Sequence, residues 1–172
     1  MDFPQLTEKE RFNSLKYPEE KVQMVLDTDT YNEVDDQFAL AYALNSPESM
    51  EVKAIYAAPF HNDRSNSPED GMEKSYQEII KIMDKLNYSS RGKVFKGSVD
   101  YLKDDKTPQS SKAAEDLIKK ALSLPEGEKL YVAAIGAITN VASAILMEPE
   151  IIKNIVNTEL VSVHSYVSTK TG

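Results

Sequence analysis

The chain has 172 residues, with 28 Asp+Glu against 20 Lys+Arg and a formal charge of −8. That length supports one domain with a sizeable core, and the acidic balance excludes a binder of phosphate backbones or anionic membrane surfaces. With no cysteine and only two histidines, His61 and His164, disulfide scaffolds, thiolate zinc sites, Cys nucleophiles and poly-His sites are excluded, so any metal must be held mainly by oxygen. Residues 1–20 are polar and read as an N-terminal arm or short helical lead-in ending at Tyr17-Pro18. They contain no apolar leader, and no run approaches the ~18 apolar residues of a membrane span, so the expected location is cytoplasmic.

Val22 to Leu26 is a short apolar run that reads as a buried strand. An acid-rich loop follows. Asp36 to Leu44 is apolar nearly all round, which predicts a buried helix. Val52 to Ala58 predicts a second strand, and the polar stretch from Pro59 to Asp70 a loop. Gly71 to Leu86 carries helical spacing at Met72, Tyr76, Ile79, Ile80 and Met83. Lys93 to Lys96 is a short strand, Ser111 to Leu124 an amphipathic helix, and Leu130 to Ile135 an apolar strand. Gly136 turns the chain into a helix over Asn140 to Met147. Residues 149–155 predict another helix, opened by Pro149, and Leu160 to Val163 a last strand. The organisation is an arm over 1–20, an α/β domain over 21–163 and a polar tail over 164–172.

Alternating strands and helices predict a mostly parallel sheet with helices on both faces, a Rossmann-like α/β fold. Ligands bind such sheets outside the carboxyl ends of the strands. That singles out the loops at 27–35, 57–70, 97–110 and 135–139.

Five carboxylates, Asp27, Asp29, Glu33, Asp35 and Asp36, fall within ten residues between a buried strand and a buried helix. Like charges this close repel and lose hydration, and a hard cation relieves both penalties. Taken singly, Asp35 or Asp36 serves equally as a helix N-cap and Asp27 as a strand-end cap. An EF-hand loop fits poorly, because Tyr31 holds its third ligand place and Asn32 its glycine.

Val25-Leu26-Asp27-Thr28-Asp29, then Asp35-Asp36 and an apolar helix, resembles the signature of the nucleoside hydrolases, the inosine-uridine-preferring N-ribohydrolase family. Leu130 to Ala142, with Gly136, Thr139 and Asn140, followed by Glu148-Pro149-Glu150-Ile151-Ile152, is similar to a second family segment. Val52 to Tyr56, leading into His61-Asn62, is similar to a third. The three stand in family order over roughly residues 22–163.

The resemblance implies Ca²⁺-dependent hydrolysis of the N-glycosidic bond of ribonucleosides, with Mg²⁺ a poorer fit. Asp29 matches a calcium ligand that is also the general base for the attacking water, and Asp36 a second ligand. Ile135 matches the position of a ligating backbone carbonyl. Asp35 and Asn62 match ribose-binding residues, and Asp27 a supporting acid. The 29–35 loop is two residues longer than in the best-known branch. Asn32 and Glu33 therefore have no counterpart and read as surface residues or added ribose contacts. Protonation of the leaving base has no assigned acid beyond His61 and His164, each of which reads by default as an ordinary polar residue.

Family members are nearly twice this long, and their second half brings a further Asp ligand and more ribose contacts. The resemblance thus corresponds to an N-terminal half, and a truncated or frame-shifted chain of low activity is expected. The small-molecule partner implied is a ribonucleoside, with no nucleic acid and no membrane. Faces uncovered by truncation imply a homo-oligomer. Two alternatives stand beside this reading. A haloacid-dehalogenase-like phosphohydrolase also opens on Asp-x-Asp, but Tyr31 stands where it expects Thr or Val. The other is a non-catalytic relic or binding module.

Overall fold

A computed structural model describes residues 3–159. Its elements are α1 (Glu8–Ser14), β1 (Val22–Thr28), α2 (Val34–Leu44), β2 (Met50–Ala57), α3 (Pro68–Lys85), β3 (Val94–Lys96), α4 (Lys112–Leu122), β4 (Leu130–Ala134), α5 (Thr139–Met147), a 3₁₀ turn (Pro149–Lys153) and β5 (Ile155–Glu159). The five strands form one sheet in the order β3-β2-β1-β4-β5. Every neighbouring pair is parallel. The expected α/β fold is the observed one.

The helix starts follow local chemistry. Ser67 accepts from the Asp70 N–H at 3.1 Å and Pro68 opens α3; Ser111 accepts from the Ala114 N–H at 3.1 Å to start α4. Each cap satisfies a donor that the helix itself leaves unpaired. Thr7 and Glu10 form a reciprocal capping box on α1, a helix that buries none of its residues.

The apolar side chains divide by face. Leu26, Leu40, Leu44, Ile55, Met72, Ile79 and Met83 join α2 and α3 to one face of the sheet. Val25, Tyr56, Leu117, Val132, Val141 and Ile151 join α4 and α5 to the other. Burying each such side chain contributes about 1.5–3 kcal/mol. Strand β1 lies at the centre, so successive residues feed both cores.

Two expectations need correction. Helix α2 is not buried all round: Val34, Phe38 and Tyr42, spaced four apart, are 63%, 72% and 69% exposed. Composition alone hid this, because an apolar helix still faces the sheet with one side only. The helix expected over 149–155 ends at Lys153, and Ile155–Glu159 pairs with β4 as a strand. The strand predicted at 160–163 lies outside the described residues, as do His164 and the tail at 164–172. Among the described residues, no helix is long and apolar enough to cross a membrane.

Candidate active site

From β1 the chain passes through α2 to β2 on one side, whereas β4 lies on β1's other side. This is the topological switch point, where a crevice opens at the carboxyl ends of the strands. Here β1 delivers Asp27, Thr28, Asp29 and Thr30, all buried. Strand β4 delivers Ile135, whose N–H donates to the Asp27 carbonyl at 2.8 Å. The sheet thereby brings together the 27–35 and 135–139 loops, as expected.

Asp27 is fully buried. Its Oδ1 accepts from Asn140 Nδ2 at 2.8 Å, and among the described residues its Oδ2 has no hydrogen-bond partner. Loss of hydration pushes its pKa up to about 7; the Asn140 bond opposes that rise and the Asp29 charge adds to it. Asn140 ties this acid to two further strand ends. Its Nδ2 also donates to the Ala57 carbonyl at 3.3 Å, and its Oδ1 accepts from Ser98 N–H at 2.8 Å and Ser98 Oγ at 3.0 Å. A Cβ at Gly97 would stand 2.0 Å from the Ala57 carbonyl oxygen and 2.5 Å from Asn140 Nδ2, so only glycine permits this packing.

Asp29 is 7% exposed. Its Oδ2 accepts from Asn32 Nδ2 at 2.9 Å. On its other side a Cβ at Gly136 would come within 3.0 Å of both Asp29 N and Oδ1, so the bare glycine lets the β4 turn approach the carboxylate closely. Burial lifts the Asp29 pKa to about 6, with the Glu33 and Asp35 charges adding to the rise. Asp36, in the first turn of α2, accepts from the Thr28 hydroxyl, which lies 2.9 Å from that of Thr30. Burial raises its pKa to about 7, reinforced by Asp29, Asp35 and Glu33. Asp35 and Glu33 stand exposed at the rim.

Asn62 and His61 are exposed on the loop after β2. Asn62 Nδ2 donates to Asn32 Oδ1 at 2.6 Å, which links this loop to Asp29 through Asn32. Asn32 is thus half-buried between two loops, and the surface reading does not hold for it; Glu33 does lie at the surface. From the same loop as Asn62, Arg64 Nη1 donates to the Asn32 carbonyl at 2.7 Å. Tyr101, from the loop after β3, has its pKa raised by burial and by the Asp29 and Asp100 charges, while the His61 backbone N–H lowers it. A neighbouring cavity of about 390 Å³ is lined by Tyr31, Gln37, Arg64, Glu78 and Lys81, and by none of the five acids of the turn.

Sequence reasoning assigned no role to Asn140 or Tyr101, and left Asn32 between a surface residue and an added ribose contact. Asn140 did stand inside a quoted motif, and Asn32 inside the lengthened loop, so position was the available signal.

Whether these residues suit a metal can be tested on their chemistry. None of the ion pairs among the described residues involves the five acids. Asp27 Oδ2 is buried without a donor from the described residues. A buried, all-oxygen set with raised pKa values and no cationic partner suits a hard divalent cation. Among the described residues, no group of three or more His, Cys, Asp or Glu side chains is arranged to hold a metal ion. The described residues therefore supply no complete ligand shell by themselves.

The family model described as inosine-uridine preferring nucleoside hydrolase matches residues 24–162. Among solved structures, a purine-preferring ribonucleoside hydrolase from Gardnerella vaginalis is 24% identical with a TM-score of 0.61, over 80% of this chain and 48% of that one. An inosine-guanosine nucleoside hydrolase is 19% identical with a TM-score of 0.57, over 83% and 48%. These likenesses show the fold, and the chain spans about half the length of the solved structures it matches. No curated protein matches the chain.

Proposed function

The chain belongs to the inosine-uridine preferring nucleoside hydrolase family, and from that premise we propose that its site serves hydrolysis of the N-glycosidic bond of ribonucleosides. The observation that carries the proposal is the buried group Asp27, Asp29 and Asp36 at the carboxyl ends of β1 and β4, with no cationic side chain paired to it among the described residues.

Cleavage at the anomeric carbon passes through an oxocarbenium-like state, which nearby carboxylates stabilise. Asp29 is the general base. Burial raises its pKa to about 6 before any cation binds, and in its ionised form it is the group that takes a proton from water. Asp35 and Asn62 stand at the exposed rim, where their polar atoms can meet the ribose hydroxyls. Asp29, Asp36 and the Ile135 carbonyl would hold a calcium ion, which supplies Lewis acidity that lowers the pKa of a bound water. Asp27 supports the turn through Asn140.

The test is release of reducing sugar from inosine and uridine by the 172-residue chain, with calcium and with chelator. Chelator-sensitive turnover, lost by at least about 100-fold in Asp29→Asn, is expected of a general base. Turnover that Asp29→Asn leaves intact refutes the assignment. No turnover in the chain alone, restored when the rest of a family fold is supplied, locates the shortfall in the missing ligands and ribose contacts.

A further inference from the structure

We propose that Asn32 is a positioning residue for the ribose end of the site: its carboxamide couples the Asp29 carboxylate to Asn62 and fixes both in the arrangement that a ribonucleoside meets. The inference rests on the functional reading above and deepens it.

Four bonds converge on this one residue. Its backbone N–H donates to the Asp29 carbonyl at 2.6 Å, and its side-chain Nδ2 donates to Asp29 Oδ2 at 2.9 Å. Its Oδ1 accepts from Asn62 Nδ2 at 2.6 Å, and its carbonyl accepts from Arg64 Nη1 at 2.7 Å. The two bonds to Asp29 alone would describe an ordinary turn. The two from Asn62 and Arg64 come from a loop some thirty residues away, which no local turn requires. Asn62 is held in turn, because its Oδ1 accepts from the Arg64 N–H at 2.9 Å.

The chemistry selects a carboxamide. One group must donate to a carboxylate and accept from an amide at once, which neither a carboxylate nor an aliphatic side chain can do. The bond to Asp29 is charge-assisted and therefore the stronger kind. It commits Oδ2, while Oδ1 lies on the side of Gly136. Asn62 spends one of its two amide protons on Asn32 and keeps the other for a ligand hydroxyl. Asn32 thus sets the spacing between base and ribose contact without needing to touch the sugar. Holding reacting groups in a fixed geometry is a large part of binding and rate.

The experiment measures inosine affinity calorimetrically, with calcium, for the wild-type chain, Asn32→Ala, Asn32→Asp, Asn62→Ala and the Asn32→Ala/Asn62→Ala double variant. Thermal melts of the same five proteins run alongside. We expect Asn32→Ala to weaken inosine binding about tenfold, equivalent to about 1.4 kcal/mol, while the protein still melts cooperatively. Asn32→Asp, of the same shape, should bind more weakly still, because it sets a carboxylate against Asp29. A merely structural spacer would tolerate that change. The double variant should be no worse than about twofold beyond the weaker single one, the mark of a shared network. Affinity unchanged within twofold in Asn32→Ala, or losses that multiply in the double variant, would overturn the inference. A wild-type chain that binds no inosine even when the rest of a family fold is supplied defeats the functional reading instead. The coupling is then judged on the melts, where strictly additive losses at Asn32 and Asn62 overturn it.

Discussion

Two populations of acids in this chain differ in their partners. On α3 and α4 each acid of the first has a lysine within a turn: Asp70 with Lys74 at 2.8 Å, Glu78 with Lys81 at 3.0 Å, Glu115 with Lys112 and Asp116 with Lys120 both at 2.7 Å. The second, on the β1–α2 turn, forms no such pair among the described residues. Hydrogen bonding from Lys74 holds Asp70 below the ordinary carboxylate value, whereas burial lifts Asp27, Asp29 and Asp36 above it. By linkage, ionised Asp70 stabilises the fold, whereas ionised Asp27, Asp29 and Asp36 destabilise it. A protein tolerates the second kind where binding compensates for it.

The largest effect expected lies at Asn140, which makes the second population tolerable. Asn140→Ala removes the donor to Asp27 Oδ1 and the acceptor for Ser98, leaving a buried carboxylate and a buried amide unsatisfied. Each such loss costs ~1–3 kcal/mol, so a total of about 3–4 kcal/mol and a fall in Tm of roughly 6–16 °C follow for a chain of this size. A calorimetric melt within about 2 °C of wild type would show that Asn140 does not organise the site.

Next comes Asp36. With chelator present at pH 8, Asp36→Asn should raise stability by about 2 kcal/mol, because it deletes a buried charge and keeps an oxygen to accept from Thr28. The sign follows from linkage. A folded pKa near 7 against an unfolded value near 4 means that the folded state binds more protons between these values. Stability of the metal-free protein therefore falls as pH rises from about 4 to 7. Calcium should reverse the ranking, raising the Tm of wild type but not of Asp36→Asn. Equal calcium-induced shifts in both would remove Asp36 from the ligand set.

The sequence displays the second population more openly than its supports. Five acids between an apolar strand and an apolar helix are visible as text, and so are β1, β2 and β4, because Met24–Leu26, Ala54–Ala57 and Leu130–Ala134 read as short apolar runs. Strand β5 escapes that rule. Ile155-Val156-Asn157-Thr158-Glu159 mixes polar residues into the outermost strand among the described residues, and its identity as a strand comes from pairing with β4. Helix α2 misleads in the other direction, since its apolar composition suggests burial on all sides while Val34, Phe38 and Tyr42 face outward. Asn32 and Asn140 are unreadable locally because their partners lie far along the chain: Asn62 is 30 residues from Asn32, and Asp27 is 113 from Asn140.

An intermediate case separates the two populations. Asp116 is on a helix and paired with Lys120, yet it also accepts from the hydroxyl of the fully buried Tyr56 at 2.9 Å. Burial first, and then the Asp116 charge, push the Tyr56 pKa well above 10. Tyr56→Phe should cost about 1 kcal/mol, the worth of one hydrogen bond whose acceptor keeps its lysine. Spectrophotometric titration should show one fewer late-titrating tyrosine in that variant. An unchanged count of late-titrating tyrosines would mean that Tyr56 is not held by Asp116.

The smallest effect belongs to the first population and has the opposite sign to Asp36. Asp70 accepts from Lys74 Nζ and from the Asn66 backbone N–H, both at 2.8 Å, and stands in the first turn of α3, where a negative charge suits the helix dipole. Its lowered pKa means that the stability it contributes is present above the unfolded carboxylate value and is lost as pH falls through the folded one. Asp70→Asn should therefore lower the Tm slightly at pH 7 and lose even that difference near pH 3. The pair is solvent-screened, so added salt should shrink the effect at pH 7 as well. Calcium should leave the difference between wild type and Asp70→Asn unchanged, because Asp70 belongs to a different set of charges. A calcium-dependent difference at Asp70 would join the two populations into one electrostatic system and break the division drawn between them.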